Sequence, residues 1–135
     1  MVVIDASVAV KWFLQEAGTA EAAALQRSQQ LIAPDLIVAE VLNSVWRNAR
    51  IGKVSSAAVT NTAAQLPSLF SALIPSADLL ARAATIALAL DHPAYDCFYI
   101  ALAERDGVDL ITADRRLLGK IKGTAFEPFV KPLVP

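Results

Sequence analysis

The amino-acid sequence predicts one α/β domain built on a mostly parallel β-sheet. Short β-branched or apolar runs alternate along the chain with longer helical segments, and this alternation is typical of β-α-β units. A length of 135 residues is that of a single domain. The sequence contains no internal repeat, linker or low-complexity segment, so one domain over residues 1–135 accounts for it.

Five short runs rich in apolar or β-branched side chains predict the strands. In chain order they are residues 2–4, 31–32, 72–74, 108–112 and 126–130. The first and fourth runs are the clearest, and the third is weak. Pro128 interrupts the last run, and because proline cannot donate to a ladder of hydrogen bonds this strand is expected at the sheet edge.

Start and stop signals predict the helices between these strands. The helical segments are residues 8–13, 21–30, 35–50, 55–66, 77–90, 94–104 and 114–120. Asp5 or Ser7 can cap the first of them, and Gly52 follows the end of the third. The His92–Pro93 pair separates the two helices in the second half of the chain.

Composition restricts the class of protein. Hydrophobic residues make up 56% of the chain, above the roughly 45–50% usual for a domain, yet no apolar run approaches the roughly 20 residues that span a bilayer. The start, MVVIDASV, lacks the basic segment of a signal peptide, and one cysteine, Cys97, cannot form an internal disulfide. We therefore expect a cytoplasmic protein, and a net charge of −1 indicates no polyanionic partner by itself.

Two aspartates follow predicted strands. Asp5 ends the first strand, and Asp114 lies two residues beyond Thr112 at the end of the fourth. Ligands of parallel sheets bind outside the carboxyl ends of the strands, so both side chains are expected at the same edge. Each aspartate also suits a helix N-cap, and that alternative stays open.

Two further acids interrupt apolar helices. Glu40 borders the apolar stripe of its helix, where it is either a solvated flank residue or part of a site. In the stretch AYDCFYIALAE, Asp96 lies in line with Tyr99, Ile100 and Ala103 on one helix face. A buried, unpaired carboxylate is unfavourable, so this position needs a reason; stabilisation of the helix dipole is the alternative.

Several facing carboxylates repel one another unless a cation neutralises them. Mg²⁺ and Mn²⁺ prefer oxygen ligands, and Mg²⁺ takes only one or two direct carboxylates, so other acids would orient its waters or hold a second ion. Such a site suits phosphodiester hydrolysis by a metal-activated water. A single histidine, His92, excludes a histidine-based triad or zinc cluster, and no phosphate-binding glycine loop is present.

Four motifs, VIDASV, APDLIVAEVLNS, AYDCFYIALAE and LITADRRLL, resemble in order and spacing the PIN domain, and specifically the VapC toxins of VapBC toxin–antitoxin pairs. The resemblance extends over essentially the full chain. It implies a PIN-like, three-layer αβα domain with strand order 3-2-1-4-5. It also implies an endoribonuclease that depends on Mg²⁺ or Mn²⁺.

The same resemblance assigns the site. The acidic positions of the family fall on Asp5, Glu40, Asp96 and Asp114, with Asp5 and Asp96 favoured as direct metal ligands. The small hydroxyl positions fall on residues 7 and 112, where Ser7 and Thr112 hold waters or phosphate oxygens or, alternatively, cap locally. Arg115 and Arg116 begin a helix, where basic residues oppose the dipole, which favours contact with phosphate.

The resemblance further implies an RNA substrate, a homodimer and a VapB-type antitoxin whose segment crosses a groove and brings a basic side chain to the acids. DNA would be contacted only through the antitoxin. The alternatives are a housekeeping PIN-domain nuclease of RNA processing, a metal-dependent small-molecule phosphatase and a non-enzymatic interaction module. The short chain favours the toxin, the sequence has DAS instead of the DxD pattern of a phosphatase, and an interaction module would not need the four acids.

Overall fold

A five-stranded parallel sheet forms the centre of the computed structural model, which describes residues 1–134. Its strands are β1 (Val2–Ile4), β2 (Leu31–Pro34), β3 (Ala72–Ile74), β4 (Leu110–Thr112) and β5 (Val130–Pro132). They are ordered β3-β2-β1-β4-β5, and each neighbouring pair is parallel. The predicted α/β class and the strand order implied by the resemblance are confirmed.

Strand β1 lies in the middle of the sheet because all three of its side chains are apolar and buried. Val3 pairs with Ile32 of β2 on one side and with Leu110 of β4 on the other. Ile4 pairs with Ile111. This register brings the residues that follow β1 and β4 to the same edge of the sheet.

Seven α-helices connect and cover the strands within residues 1–134. They are α1 (Ala6–Ala9), α2 (Thr19–Ser28), α3 (Leu36–Arg50), α4 (Ser56–Gln65), α5 (Leu80–Leu90), α6 (Ala94–Asp106) and α7 (Arg115–Ile121). Helix α3 buries Ile37, Val41 and Val45, whose spacing places them on one helix face. Within this part of the chain no helix is long and apolar enough to cross a membrane.

Helix α6 passes through the core. Tyr99 and the four residues after it are buried, and the helix ends at Gly107, whose φ of 66° lies in the left-handed region. The first turn differs, because the Tyr95 side chain is largely exposed. The N-terminal end of α6 therefore opens to solvent while its middle is enclosed, and Asp96 lies at the transition.

The predicted strand at residues 126–130 is wrong in position. Residues Glu127–Phe129 form a 3-10 turn around Pro128, and β5 begins only at Val130. Strand β5 pairs with β4 alone, and Pro132 is tolerated there because an edge strand leaves one side unpaired. The first helix is also shorter than predicted, since a 3-10 turn follows it over Val10–Trp12.

Candidate metal centre

Asp5 is the most enclosed acid of the site. It directly follows β1, and its side chain is buried at the carboxyl edge of the sheet. Three groups donate hydrogen bonds to its carboxylate: the Ser7 hydroxyl at 2.5 Å, the Val8 backbone N–H at 3.3 Å and the Thr112 hydroxyl. The carboxylate therefore caps α1, as the capping interpretation predicted, and is also held in place from β4.

Ser7 and Thr112 join the ends of β1 and β4. Their hydroxyl oxygens lie 3.3 Å apart. The Ser7 oxygen accepts the Ala113 backbone N–H at 2.9 Å, and the Thr112 oxygen accepts the Asp114 backbone N–H at 3.0 Å. Both hydroxyls thus fix the shape of the sheet edge around Asp5, and a small side chain is needed at each position for this close approach.

The electrostatic environment of Asp5 opposes its ionisation. The pKa of Asp5 is raised to about 6 overall. Burial is the largest cause of the rise and the charge of Asp96 adds to it, while hydrogen bonds from Ser7 and Thr112 lower the pKa. Asp5 can still lose its proton near neutrality, as a metal ligand must. A bound cation would further favour the charged form, because an opposite charge nearby stabilises a carboxylate.

Glu40 joins the same electrostatic group from helix α3. Its half-buried carboxylate accepts a 2.6 Å hydrogen bond from the hydroxyl of Tyr99, a buried residue of α6. Burial raises the pKa of Glu40, the bond from Tyr99 lowers it, and the charge of Asp96 raises it. Burial and the nearby acids also raise the pKa of Tyr99, so its hydroxyl remains a donor. Glu40 is therefore half-buried and hydrogen-bonded to the core, and is not a freely solvated flank residue.

Asp96 lies in the first turn of α6 and influences both other acids. The sequence suggested a buried carboxylate, but the side chain is 25% exposed, because this turn opens to solvent. His92 Nε2 lies 2.5 Å from Asp96 Oδ2. Sequence analysis treated His92 only as part of a helix break and missed this contact. The four-residue spacing of His92 and Asp96 was the available signal for the contact, but Pro93 between them indicated that the helix does not include His92.

Asp114 takes a different place from the other three acids. It follows β4 and caps α7, accepting the backbone N–H groups of Arg116 at 2.9 Å and Leu117 at 3.3 Å. Its charge is absent from the influences on the pKa of Asp5 and Glu40, whereas that of Asp96 is present in both. The charge of Asp96 thus acts on both Asp5 and Glu40, whereas Asp114 is linked to the sheet edge by the bond from its backbone N–H to the Thr112 hydroxyl. Arg115 and Arg116 are exposed at the start of α7.

The donor set of this site suits a hard divalent cation. Its acids offer carboxylate oxygens, which Mg²⁺ and Mn²⁺ prefer. Burial and the charge of Asp96 both raise the pKa of Asp5 and of Glu40, and a cation bound nearby would oppose this effect. Among residues 1–134, no group of three or more His, Cys, Asp or Glu side chains is arranged to hold a metal directly. Carboxylate oxygens suit a hard ion such as Mg²⁺, which usually keeps several waters and takes one or two carboxylates.

Fold and site together define an α/β domain with an acidic site at the carboxyl edge of a five-stranded parallel sheet. A family model described as the PIN domain matches residues 2–123. The chain belongs to the PIN-domain family.

Several individual proteins from Pyrobaculum aerophilum are similar to it. Ribonuclease VapC3 is 35% identical over 121 residues, which cover 87% of this chain and 92% of the relative. Exonuclease VapC9 is 33% identical over 100 residues, 73% of each chain. The crystal structure of PAE2754 superimposes with a TM-score of 0.66 at 28% identity and covers 91% of this chain and 81% of that one.

Proposed function

We propose that this protein is a divalent-metal-dependent endoribonuclease, the toxin component of a VapBC-type toxin–antitoxin module acting in the cytoplasm. The observation that carries the proposal is the grouping of Asp5, Glu40 and Asp96 at the carboxyl edge of the sheet, where the charge of Asp96 raises the pKa of the other two. Both relatives named as nucleases, Ribonuclease VapC3 and Exonuclease VapC9, support nuclease chemistry on this domain.

The four acids have two different roles in binding a cation. Asp5 and Asp96 would hold Mg²⁺ or Mn²⁺ directly, and Glu40 and Asp114 would orient its bound waters. When bound, the cation activates a water, polarises the phosphoryl group and stabilises the leaving oxygen. Tyr99 supports this arrangement because its hydroxyl fixes one oxygen of Glu40 and leaves the other available.

The hydroxyl and basic residues act on the phosphate side. Ser7 and Thr112 hold Asp5 at the sheet edge and present their oxygens beside it. Arg115 lines a cavity of about 420 Å³ with Lys11, Gly18 and Thr112 among its neighbours. Arg115 shares this cavity with Thr112, at the end of β4, and would supply positive charge for an RNA phosphate; exposed Arg116 adds a second positive charge.

The decisive experiment compares two substitutions on helix α6. Asp96→Asn and Glu104→Gln each remove one carboxylate charge, but Glu104 lies near the other end of the helix and pairs with Arg82 at 2.6 Å. RNA cleavage by Asp96→Asn is expected to fall at least about tenfold, as for loss of a metal-site residue, while Glu104→Gln keeps wild-type cleavage. Equal cleavage by both variants would contradict the proposed site.

Two further arms test metal dependence and cleavage mode. Cleavage is expected to stop in EDTA and to return with Mg²⁺ or Mn²⁺, so activity that survives exhaustive chelation would remove the metal mechanism. A circular RNA separates the two kinds of nuclease, because an exonuclease finds no end on it. The proposal requires cleavage of the circle, and degradation confined to linear RNA would indicate an exonuclease instead.

The protein surface also supports partner binding. Leu42 and Trp46 of α3 are 36% and 47% exposed, and with Ala39 and Val59 they line an open groove toward α4. Trp12 is less available for such contacts, since this residue packs on Phe70 with ring centroids 5.8 Å apart. We assign the α3–α4 face to apolar contacts in a homodimer or with a VapB-type antitoxin, whose basic side chain would approach the acids.

Light scattering tests this assignment on the full chain, alone and with the candidate antitoxin. A dimer alone, a larger complex with antitoxin and inhibition of cleavage in that complex are expected. A strict monomer at micromolar concentration under both conditions would contradict the partner assignment while leaving the nuclease assignment untouched.

A further inference from the structure

A left-handed turn at Asp91 leads the backbone into His92. Helix α5 ends at Leu90, and Asp91 follows in the left-handed region with a φ of 49°. This conformation is uncommon for a residue other than glycine. The backbone N–H of His92 then donates to the carbonyl oxygen of Ala87 at 3.2 Å, and Pro93 begins the next helix. The turn therefore delivers the imidazole to the first turn of α6.

The imidazole makes one short polar contact with the site. His92 Nε2 lies 2.5 Å from Asp96 Oδ2, and the His92 side chain is only 9% exposed. A carboxylate that binds a metal is ionised and only accepts hydrogen bonds, so in that state Nε2–H is the donor. Within residues 1–134, His92 is the one hydrogen-bond partner of the Asp96 carboxylate, whereas Asp5 has three. The orientation of Asp96 thus depends on a single neighbour.

We propose that His92 is a positioning residue for Asp96: its Nε2–H holds Oδ2 and so presents the other carboxylate oxygen to a divalent cation. The inference rests on the proposed metal-dependent function. Residues that orient metal ligands typically contribute about 10- to 100-fold to metal affinity. Among the described residues, the His92 contact is the only hydrogen bond to the Asp96 carboxylate, so an effect of this size is expected.

The test measures Mn²⁺ binding to the whole protein by isothermal titration calorimetry at one fixed pH, with no RNA present. Three proteins are compared after removal of bound metal: wild type, His92→Leu and His92→Gln. Leucine fills space but has no donor. The glutamine amide nitrogen can occupy the place of Nε2 and donate to Oδ2. Melting in EDTA checks that each protein is folded.

Weaker Mn²⁺ binding by His92→Leu, by about 10- to 100-fold, with His92→Gln within about threefold of wild type, would support the proposal. Binding by His92→Leu as tight as wild type, or tighter, would overturn it. Equal weakening of both variants would also overturn it, because the donor would then not be the property that matters. Where His92→Leu does not fold, His92→Asn replaces it, since its shorter amide does not reach Oδ2.

The wild-type titration separates this proposal from the proposed function. If the wild-type protein itself binds no Mn²⁺ or Mg²⁺, the metal centre is wrong, and the role of His92 falls with it. If the wild type binds metal and the variants bind equally well, only the positioning role is wrong. The kinetic counterpart is a higher metal requirement for RNA cleavage by His92→Leu that added Mn²⁺ overcomes.

Discussion

Replacement of Asp5 by asparagine tests the acidic site through the stability of the metal-free protein. The two side chains have nearly the same size, so the buried position remains filled. An asparagine oxygen can accept from Ser7 and Val8 as the carboxylate does. Its amide can donate to the Thr112 oxygen, whose own hydroxyl can turn toward Ser7. The main change is therefore the loss of one buried negative charge.

The magnitude follows from the pKa of Asp5. Folding raises this pKa from an ordinary value of 3.8 to about 6, mainly through burial. Each tenfold change in proton affinity corresponds to about 1.4 kcal/mol, so ionised Asp5 lowers the free energy of unfolding by about 3 kcal/mol. Because the folded pKa is the higher one, Asp5 does not destabilise the fold below pH 3.8, where it is protonated in both states. The wild-type protein then loses this stability as the pH rises to about 6, where Asp5 ionises in the folded state.

Asp5→Asn is therefore expected to be more stable than wild type at neutral pH in EDTA. The gain approaches about 3 kcal/mol, or roughly 10 °C in Tm for a domain of this size. Urea unfolding of both proteins between pH 4 and 7 measures it. The difference between them should grow across this range, while Mg²⁺ should stabilise only the wild type. Cleavage of RNA should be lost.

Asp109→Asn is the matched control, since Asp109 is exposed at the opposite end of β4. It is expected to change stability by no more than about 0.5 kcal/mol. A metal-free Asp5→Asn protein that is no more stable than wild type at neutral pH would refute the electrostatic reasoning. A gap that stays constant from pH 4 to 7 would refute it equally.

Three further substitutions test other parts of the site and the surface. Tyr99→Phe removes the donor to Glu40 and should lower the free energy of unfolding by only about 1 kcal/mol, since water can reach the half-buried carboxylate. RNA cleavage should also fall. Wild-type stability in urea together with wild-type cleavage would contradict the role of the hydroxyl. Thr112→Val removes a hydrogen bond that lowers the pKa of Asp5, so the acidic limb of the cleavage–pH profile should move to higher pH. A limb that stays in place or moves to lower pH would contradict this role of Thr112. Trp46→Ser should leave the melting temperature nearly unchanged but shift the dimer toward monomer in light scattering, and an unaltered mass would exclude Trp46 from the interface.

The parts of the site that sequence analysis predicted are those that break a local pattern. Asp5 ends an apolar strand, and Asp96 interrupts an apolar helix face, so each acid is conspicuous against its neighbours. The α/β class followed from the alternation of short apolar runs with longer helical segments. The expected burial of Asp96 was wrong because periodicity identifies a helix face but does not show that the first turn opens to solvent.

The contacts that tie the acids down were not predictable in this way. Tyr99 reaches Glu40 across 59 positions in the chain, and Thr112 reaches Asp5 across 107. Such pairs depend on how the sheet and helices pack. The start of β5 was missed for a related reason, since its apolar signal overlaps the 3-10 turn at Pro128 and only pairing with β4 decides the register.

The central position of β1 has a consequence for synthesis. Strand β1 leaves the ribosome before β4, and their pairing cannot form until residues 110–112 have followed. The hydroxyl of Thr112, which holds Asp5, arrives in the same step. Closure of so long a segment is slow compared with local helix formation. A nascent chain that stops short of β4 therefore lacks the completed acidic edge, because the two strands that form this edge must both have left the ribosome before they can pair.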